Sequence, residues 1–402
     1  MDHGEHSSLQ GTDTLVKWRR QFHRYPELGF EEVETSNLIR DELLKLGLKE
    51  VRTVAKTGIE AIIRGKEKGP TVMLRADMDA LPIQEETNTT YCSTVNEKAH
   101  LCGHDAHMAM LLGATKILMD EEIEHGNIKI IFQPAEEGLA GAKSMIRDRV
   151  LHNPDVKAII GLHVDPSMPT GFVSVCPNTC TAYSERFELK VIGQSGHAAR
   201  PHLTVDPIAV SGEIISALQQ IISRKVNPLS SAVLTIGKIQ GGHAKNAIAS
   251  IVKIEGTIRS LSKEDREIII KYMEQITKGI CEGFGANFEL ELIEGYPPVI
   301  NDPNLIPLLD KVSKEVLGEN KMSIVEPSMG AEDFAYYTQK IPGLFYRLGT
   351  SNSAETSYPL HHPKFNIDED ALPLGAATLA QCALSYLQLF TITRQNTVLI
   401  NH

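Results

Sequence analysis

Short apolar runs at 71–75 (TVMLR), 128–132 (IKIIF) and 156–162 (VKAIIGL) alternate with helical patterns near 13–24, 31–46 and 104–119. Strands of this kind belong to a sheet covered on both faces, which confines the chain to an α/β architecture. The segment 296–402 returns to the same style. It carries a helix near 303–317, the strand-like GLFYRLG and a long helix near 370–389.

Residues 183–295 break the pattern. Phe187, Leu189 and Val191 alternate with Glu188 and Lys190, a half-exposed strand. Asp206 before Pro207 marks a helix start, and Ile208, Ile214, Ile215, Leu218, Ile221 and Ile222 share one face of that helix. Two strand patterns follow, near 232–240 and 250–260. Ser262 and Asp265 then open a helix that ends near Gly283 or Gly285, and Phe288, Leu290 and Leu292 alternate as a last strand. The order is β-α-β-β-α-β, the ferredoxin-like arrangement. The expected fold is therefore α/β. A larger domain with a mostly parallel sheet between helices is built from 1–182 and 296–402, and a ferredoxin-like βαββαβ domain is inserted at 183–295.

A chain of 402 residues has room for two or three cores. Forty Lys and Arg against 51 Asp and Glu give a formal net charge of −11, which argues against a nucleic-acid backbone as partner. No apolar run approaches the ~20 residues of a bilayer span, so no membrane association is expected. The N-terminus lacks the basic and apolar regions of a signal peptide, and the C-terminus lacks a lipidation or retention signal. Together these predict a cytoplasmic protein with six reduced cysteines. In that compartment the sequon at Asn88 carries no meaning. Cys176 and Cys180 have no second ligand pair nearby, and His3 and His6 read as tail residues.

The chemistry concentrates elsewhere. Glu136 and Glu137 follow the apolar run 128–132 in Gln133-Pro134-Ala135-Glu136-Glu137. Cys102 and His104 lie in LCGHDAH, His163 closes AIIGLH, and His361 opens HHPKF. A thiolate, imidazoles and a carboxylate are the ligands a zinc-like ion accepts. The pair also leaves one glutamate free to take a proton from water. Asp77 and Asp79 follow TVMLRA, another strand end, and strand ends in open α/β sheets gather at one crevice. His107 lies on the same helix face as His104, as a ligand, a support or packing. His100 and His362 adjoin stronger candidates and read as supports at most. These residues point to a metal-dependent amidohydrolase.

The same motifs resemble the aminoacylase/carboxypeptidase family of dinuclear metallo-amidohydrolases. The branch is that of hippurate hydrolase, N-acyl-L-amino acid amidohydrolases and auxin-amino acid conjugate hydrolases. The resemblance runs from WRRQFHRYPELGFEEVETS through LRADMDALPI, HLCGHDAHMAMLLG, FQPAEEG, GLHV, GQSGHAARPH and GTIRS to MGAEDFAYY and LHHPKF. It implies that Cys102, His104, Glu137, His163 and His361 hold two divalent metal ions per subunit, Zn²⁺ first, with Mn²⁺ and Co²⁺ also suited to these donors. It implies Glu136 as general base, Asp79 as the aspartate supporting base and metal geometry, and His197 as the oxyanion-stabilising group. Asn246 and Arg259 match positions that receive a substrate carboxylate. The inserted domain matches a lid and dimerisation domain, so a homodimer is expected, with His197 reaching the partner's site. Two positions depart from the family pattern. Leu101 replaces an alanine before Cys102, and Asn246-Ala247-Ile248-Ala249 replaces Asn-Val-Ile-Pro.

The implied activity is hydrolysis of N-acyl amino acids to a carboxylic acid and a free amino acid. The alternative is a carboxypeptidase on short or N-blocked peptides, since both substrates place an amide beside a free carboxylate. A cysteine hydrolase built on Cys102 would leave the paired glutamates idle. A non-catalytic binding protein on this scaffold conflicts with an intact Glu136.

Overall fold

The computed structural model describes the backbone of residues 4–400 and the side chains of 12–389. The chain divides into two compact units. One comprises Met1–Asn178, Val299–Glu326 and Asp333–His402, and the other Thr179–Pro298 with Pro327–Glu332. His3 and His6 lie outside the residues whose side chains are described.

The first unit is built on an eight-stranded sheet. Its order is Glu50–Val54, Gly58–Arg64, His125–Gln133, Glu67–Asp77, Val156–Pro169, Gly343–Ser351, Val173–Val175, Met322–Ile324. The four central strands, from His125–Gln133 to Gly343–Ser351, run parallel. On one side Gly58–Arg64 and Glu50–Val54 add antiparallel pairs, and on the other Val173–Val175 pairs antiparallel with Gly343–Ser351 and parallel with the edge strand Met322–Ile324. The sheet is therefore mixed but mostly parallel, as the apolar runs require. Ile128, Ile130, Val72, Leu74, Ala158 and Ile160 are fully buried in its centre. Helices Val33–Lys45, His104–Asp120 and the long Ala371–Ile400 take their places in the same core through Ile39, Leu43, Met108, Leu112, Leu372 and Leu379. Leu101 also packs fully buried into this core, so its extra bulk is absorbed.

The second unit holds a four-stranded antiparallel sheet, ordered Ala232–Gly241, Ile251–Ser260, Tyr183–Ile192, Asn287–Glu294. Phe187, Leu189, Val191, Val252, Ile254 and Ile258 turn one face toward helices Pro207–Arg224 and Lys263–Phe284. Asp206 caps the first helix by accepting from Ile208 N–H, and Ser262 caps the second by accepting from Asp265 N–H. Gly285 ends it in the left-handed conformation at φ 70°. Among the described residues, no helix is long and apolar enough to cross a membrane.

Candidate metal centre

Two parallel strands deliver the acidic parts of the site at their carboxyl ends. Strand Glu67–Asp77 ends on Asp77, with Asp79 two residues on, and His125–Gln133 is followed directly by the Glu136–Glu137 turn. His163 lies inside a strand rather than at its end. Val156–Pro169 continues past it, because Val164 and Asp165 still pair with Leu348 and Gly349. Cys102 and His104 flank Gly103, which has φ 85° and precedes the helix His104–Asp120. A Cβ at Gly103 would fall 2.3 Å from Val164 Cγ2, so both the conformation and the close approach demand glycine.

The structure gathers all five predicted ligands. Donor atoms of Cys102, His104 and His163 lie within 4.8 Å of one another, as do those of Cys102, Glu137 and His361, and those of His104, Glu136 and Glu137. Cys102 is common to the first two groups. Cys176 and Cys180 belong to no such group among the described residues.

Hydrogen bonds fix the imidazoles. His104 Nδ1 lies 2.8 Å from the Asp79 carbonyl, and His163 Nδ1 2.8 Å from the Val164 carbonyl. A carbonyl only accepts, so each Nδ1 carries a proton and each Nε2 is the nitrogen left to meet a cation. His104 Nε2 and Glu137 Oε1 are buried with no hydrogen-bond partner. Glu137 Oε1 lies 3.3 Å from His361 Nε2, and the two share a group with Cys102. Buried polar atoms without partners are rare, and a cation satisfies these. Burial also pushes the Cys102 thiol up to about 12, so a thiolate forms here only against a cation. For His104 burial acts the other way, yet Asp77 and Cys102 outweigh it and raise its value well above normal. Burial lowers His163 well below its normal value, so its ring is neutral and its Nε2 can meet a cation, and the donor types gathered here fit divalent ions.

Asp77 and His107 are otherwise engaged. His107 Nδ1 lies 2.6 Å from Asp77 Oδ1, and His107 Nε2 accepts from Val164 N–H at 3.0 Å. Arg75 Nη1 donates to Asp77 Oδ2 at 2.6 Å. Both nitrogens of His107 are therefore used, which makes it a strut. His100 is fully buried with both ring nitrogens unpartnered, and burial lowers it to about 4. His362 stacks on Tyr358 and accepts from Lys364 N–H, and it belongs to none of the ligand groups among the described residues.

The glutamate turn is held through its backbone. Asp79 Oδ1 accepts from Glu136 N–H at 3.0 Å, and Asp79 Oδ2 from Glu137 N–H at 2.9 Å. Asp333 donates its N–H to Glu136 Oε1 at 3.2 Å. Its own carboxylate accepts from Arg75, Gln133 and Ala142 N–H. Arg75 and Asp333 lie in the motifs LRADMDALPI and MGAEDFAYY, but the motifs alone give neither a role. The readable signal is an arginine inside a strand buried on both faces, where a charge must find partners.

The remaining candidates lie in the second unit. His197 pairs with Ala247 through the backbone, and Ala198 N–H donates to the Asn246 carbonyl, so His197 and Asn246 are neighbours. Ala199 N–H donates to His197 Nδ1 at 3.1 Å, which leaves Nε2 as the protonated, donating nitrogen. Arg259 stands on strand Ile251–Ser260 with a half-buried guanidinium. Its Nη1 is buried without a hydrogen-bond partner, and burial lowers its value.

The family model "Peptidase family M20/M25/M40" matches residues 73–385. The chain belongs to this peptidase family. It is 39% identical over 377 residues to N-acetylcysteine deacetylase of Bacillus subtilis, covering 93% of this chain and 97% of that one. It is also 39% identical over 380 residues to thermostable carboxypeptidase 1 of Saccharolobus solfataricus, covering 93% and 95%. Among solved structures it resembles the Bacillus subtilis YXEP protein, a dinuclear metal-binding peptidase of the M20 family. The TM-score is 0.83 at 36% identity, covering 94% of this chain and 99% of that one. The protein is thus a metal-dependent amidohydrolase or carboxypeptidase of the M20 family.

Proposed function

We propose that this enzyme hydrolyses the amide bond of N-acyl amino acids, with two divalent ions held by Cys102, His104, Glu137, His163 and His361. The observation that carries this reading is the gathering of donor atoms of His104 and His163 with Cys102, and of His104 with Glu137 and a second carboxylate on Glu136, while both Nδ1 atoms are committed to carbonyls. Bound divalent ions supply Lewis acidity, which lowers the pKa of water and polarises the amide carbonyl. Glu136 takes the proton of the attacking water and passes it to the leaving nitrogen as the C–N bond breaks. The products are a carboxylate and a free amine. Asp79 holds the backbone of both glutamates during this exchange.

His197 donates its Nε2–H to the tetrahedral oxyanion, a role its tautomer supports. The half-buried Arg259, with Asn246, receives the substrate carboxylate, and its unpartnered buried Nη1 supports that assignment. His197 acts in the partner's site of a homodimer formed through the 183–295 domain. Zn²⁺ is the first choice of metal, and Mn²⁺ and Co²⁺ suit the same donors. Deacetylase and carboxypeptidase relatives are equally similar, so peptidyl substrates form the second reading.

The test is apoprotein reconstituted with each metal and assayed on N-acetyl, N-benzoyl and peptidyl amino acids, each as free acid and C-terminal amide. Metal-dependent turnover of free acids, with poor turnover of amides, is expected. Indifference to amidation, or activity that survives full chelation, overturns the reading.

A further inference from the structure

Three consecutive N–H groups present the two glutamates, and two carboxyls take them. Asp79 accepts from Glu136 and Glu137. The third, Ala135 N–H, donates to Glu32 Oε1 at 2.9 Å. Glu32 is fully buried and 103 residues away in sequence. Its other oxygen, Oε2, accepts from Thr57 Oγ1 at 2.6 Å. Ala135 needs such a hold, because its φ of 57° and ψ of 45° lie in the left-handed region that a side chain disfavours.

Close packing backs the same turn. A Cβ at Gly29 would lie 3.0 Å from Ala135 Cα and 2.9 Å from Leu139 Cδ1. A Cβ at Gly58, next to Thr57, would lie 2.8 Å from Pro134 Cδ. The segment before Glu32 is tied to the Asp79 loop as well, since Ala80 N–H donates to the Glu27 carbonyl at 2.8 Å. One short stretch of chain therefore clasps both the glutamate turn and the loop that carries Asp79.

We propose that Glu32 is a positioning residue for the reaction: by holding the left-handed Ala135 it sets the direction of Glu136 and Glu137. It touches neither substrate nor metal and works through the turn alone. The inference rests on Glu136 as general base.

The test compares metal-loaded wild type with Glu32→Ala, Glu32→Gln and Glu136→Gln. Readouts are kcat, KM, metal content and hydrogen exchange of the Ala135 amide. Glutamine keeps an acceptor for Ala135 N–H, and alanine does not. Glu32→Ala should lose about 10- to 100-fold in kcat, up to the cost of a 1 Å misplacement of a reacting group. Its KM should stay within about two-fold, and its Ala135 amide should exchange faster. Glu32→Gln should restore both kcat and slow exchange. If the alanine variant does not fold, Glu32→Leu fills the space without offering an acceptor and should behave alike. Wild-type kcat and slow exchange in the alanine or leucine variant overturn the proposal. So does an equal loss in Glu32→Gln, because the acceptor would then not be what matters. Full activity of Glu136→Gln instead overturns the base assignment, and the exchange measurement still reports on Glu32 by itself.

Discussion

His107 bridges Asp77 and the backbone of Val164, the residue after His163. Val164 N–H can only donate, so His107 Nε2 accepts, and its Nδ1 proton belongs to Asp77. Burial of this neutral ring lowers its value, against the pull of Asp77. Asp77 passes the constraint to Arg75, Arg75 to Asp333, and Asp333 N–H to Glu136. One buried chain of hydrogen bonds thus connects the strand of His163 to Glu136.

His107→Ala leaves two buried groups without partners. It should cost roughly 2–4 kcal/mol of stability while metal content per subunit stays at the wild-type level. Denaturant unfolding and metal analysis measure both. Loss of one metal equivalent with unchanged stability would make His107 a ligand instead of a strut.

Cys102 is buried, and its thiolate needs a cation. It should resist alkylation in the metal-loaded enzyme and become more reactive after chelation. Mass spectrometry of the labelled peptide reads this directly. Equal labelling in both forms removes Cys102 from the metal's ligands.

Burial pushes the Glu32 carboxyl up to about 7, with Asp79 adding to the shift and Thr57 opposing it. In the unfolded chain it ionises near its ordinary value of about 4.3. Between these values the folded state keeps the proton and the unfolded state does not, so stability falls as pH rises through that window. Glutamine does not titrate. The stability of Glu32→Gln relative to wild type should therefore rise from about pH 5 to about pH 8 by something on the order of 2 kcal/mol. Other groups cancel in this difference. A constant difference at the two pH values would show that Glu32 does not titrate in this way.

Much of this was legible in the sequence for physical reasons. Two-sided burial forces strands such as 128–132 to be apolar, and one-sided burial forces the alternation at 187–191. Period and composition therefore separate the two sheets. Ligand types are equally visible, because few residues bind metal and they stand here in short motifs. Supports are harder to see. Glu32 looks like any acidic residue at a helix start, and nothing local shows that it meets Ala135. Asp333 acts through its backbone N–H, which every residue but proline possesses. The apolar run that His163 closes predicts a strand end there, while backbone pairing with Gly343–Ser351 carries the strand further.

The proposed action of His197 across a dimer is open to subunit mixing. His197→Ala and Glu136→Gln should each be nearly inactive alone. Heterodimers formed by exchange should regain up to about half of wild-type activity, since two-fold symmetry restores one composite site. Confirmed exchange without recovery would place His197 outside the partner's site.

In the proposed reaction Glu136 carries the proton while its neighbour Glu137 holds metal. Glu136→Gln removes the proton acceptor and leaves every proposed ligand in place. Its kcat should fall by at least about 10²-fold, the low end for general acid–base groups, at full metal content. Turnover near the wild-type rate in the fully loaded variant would contradict the account.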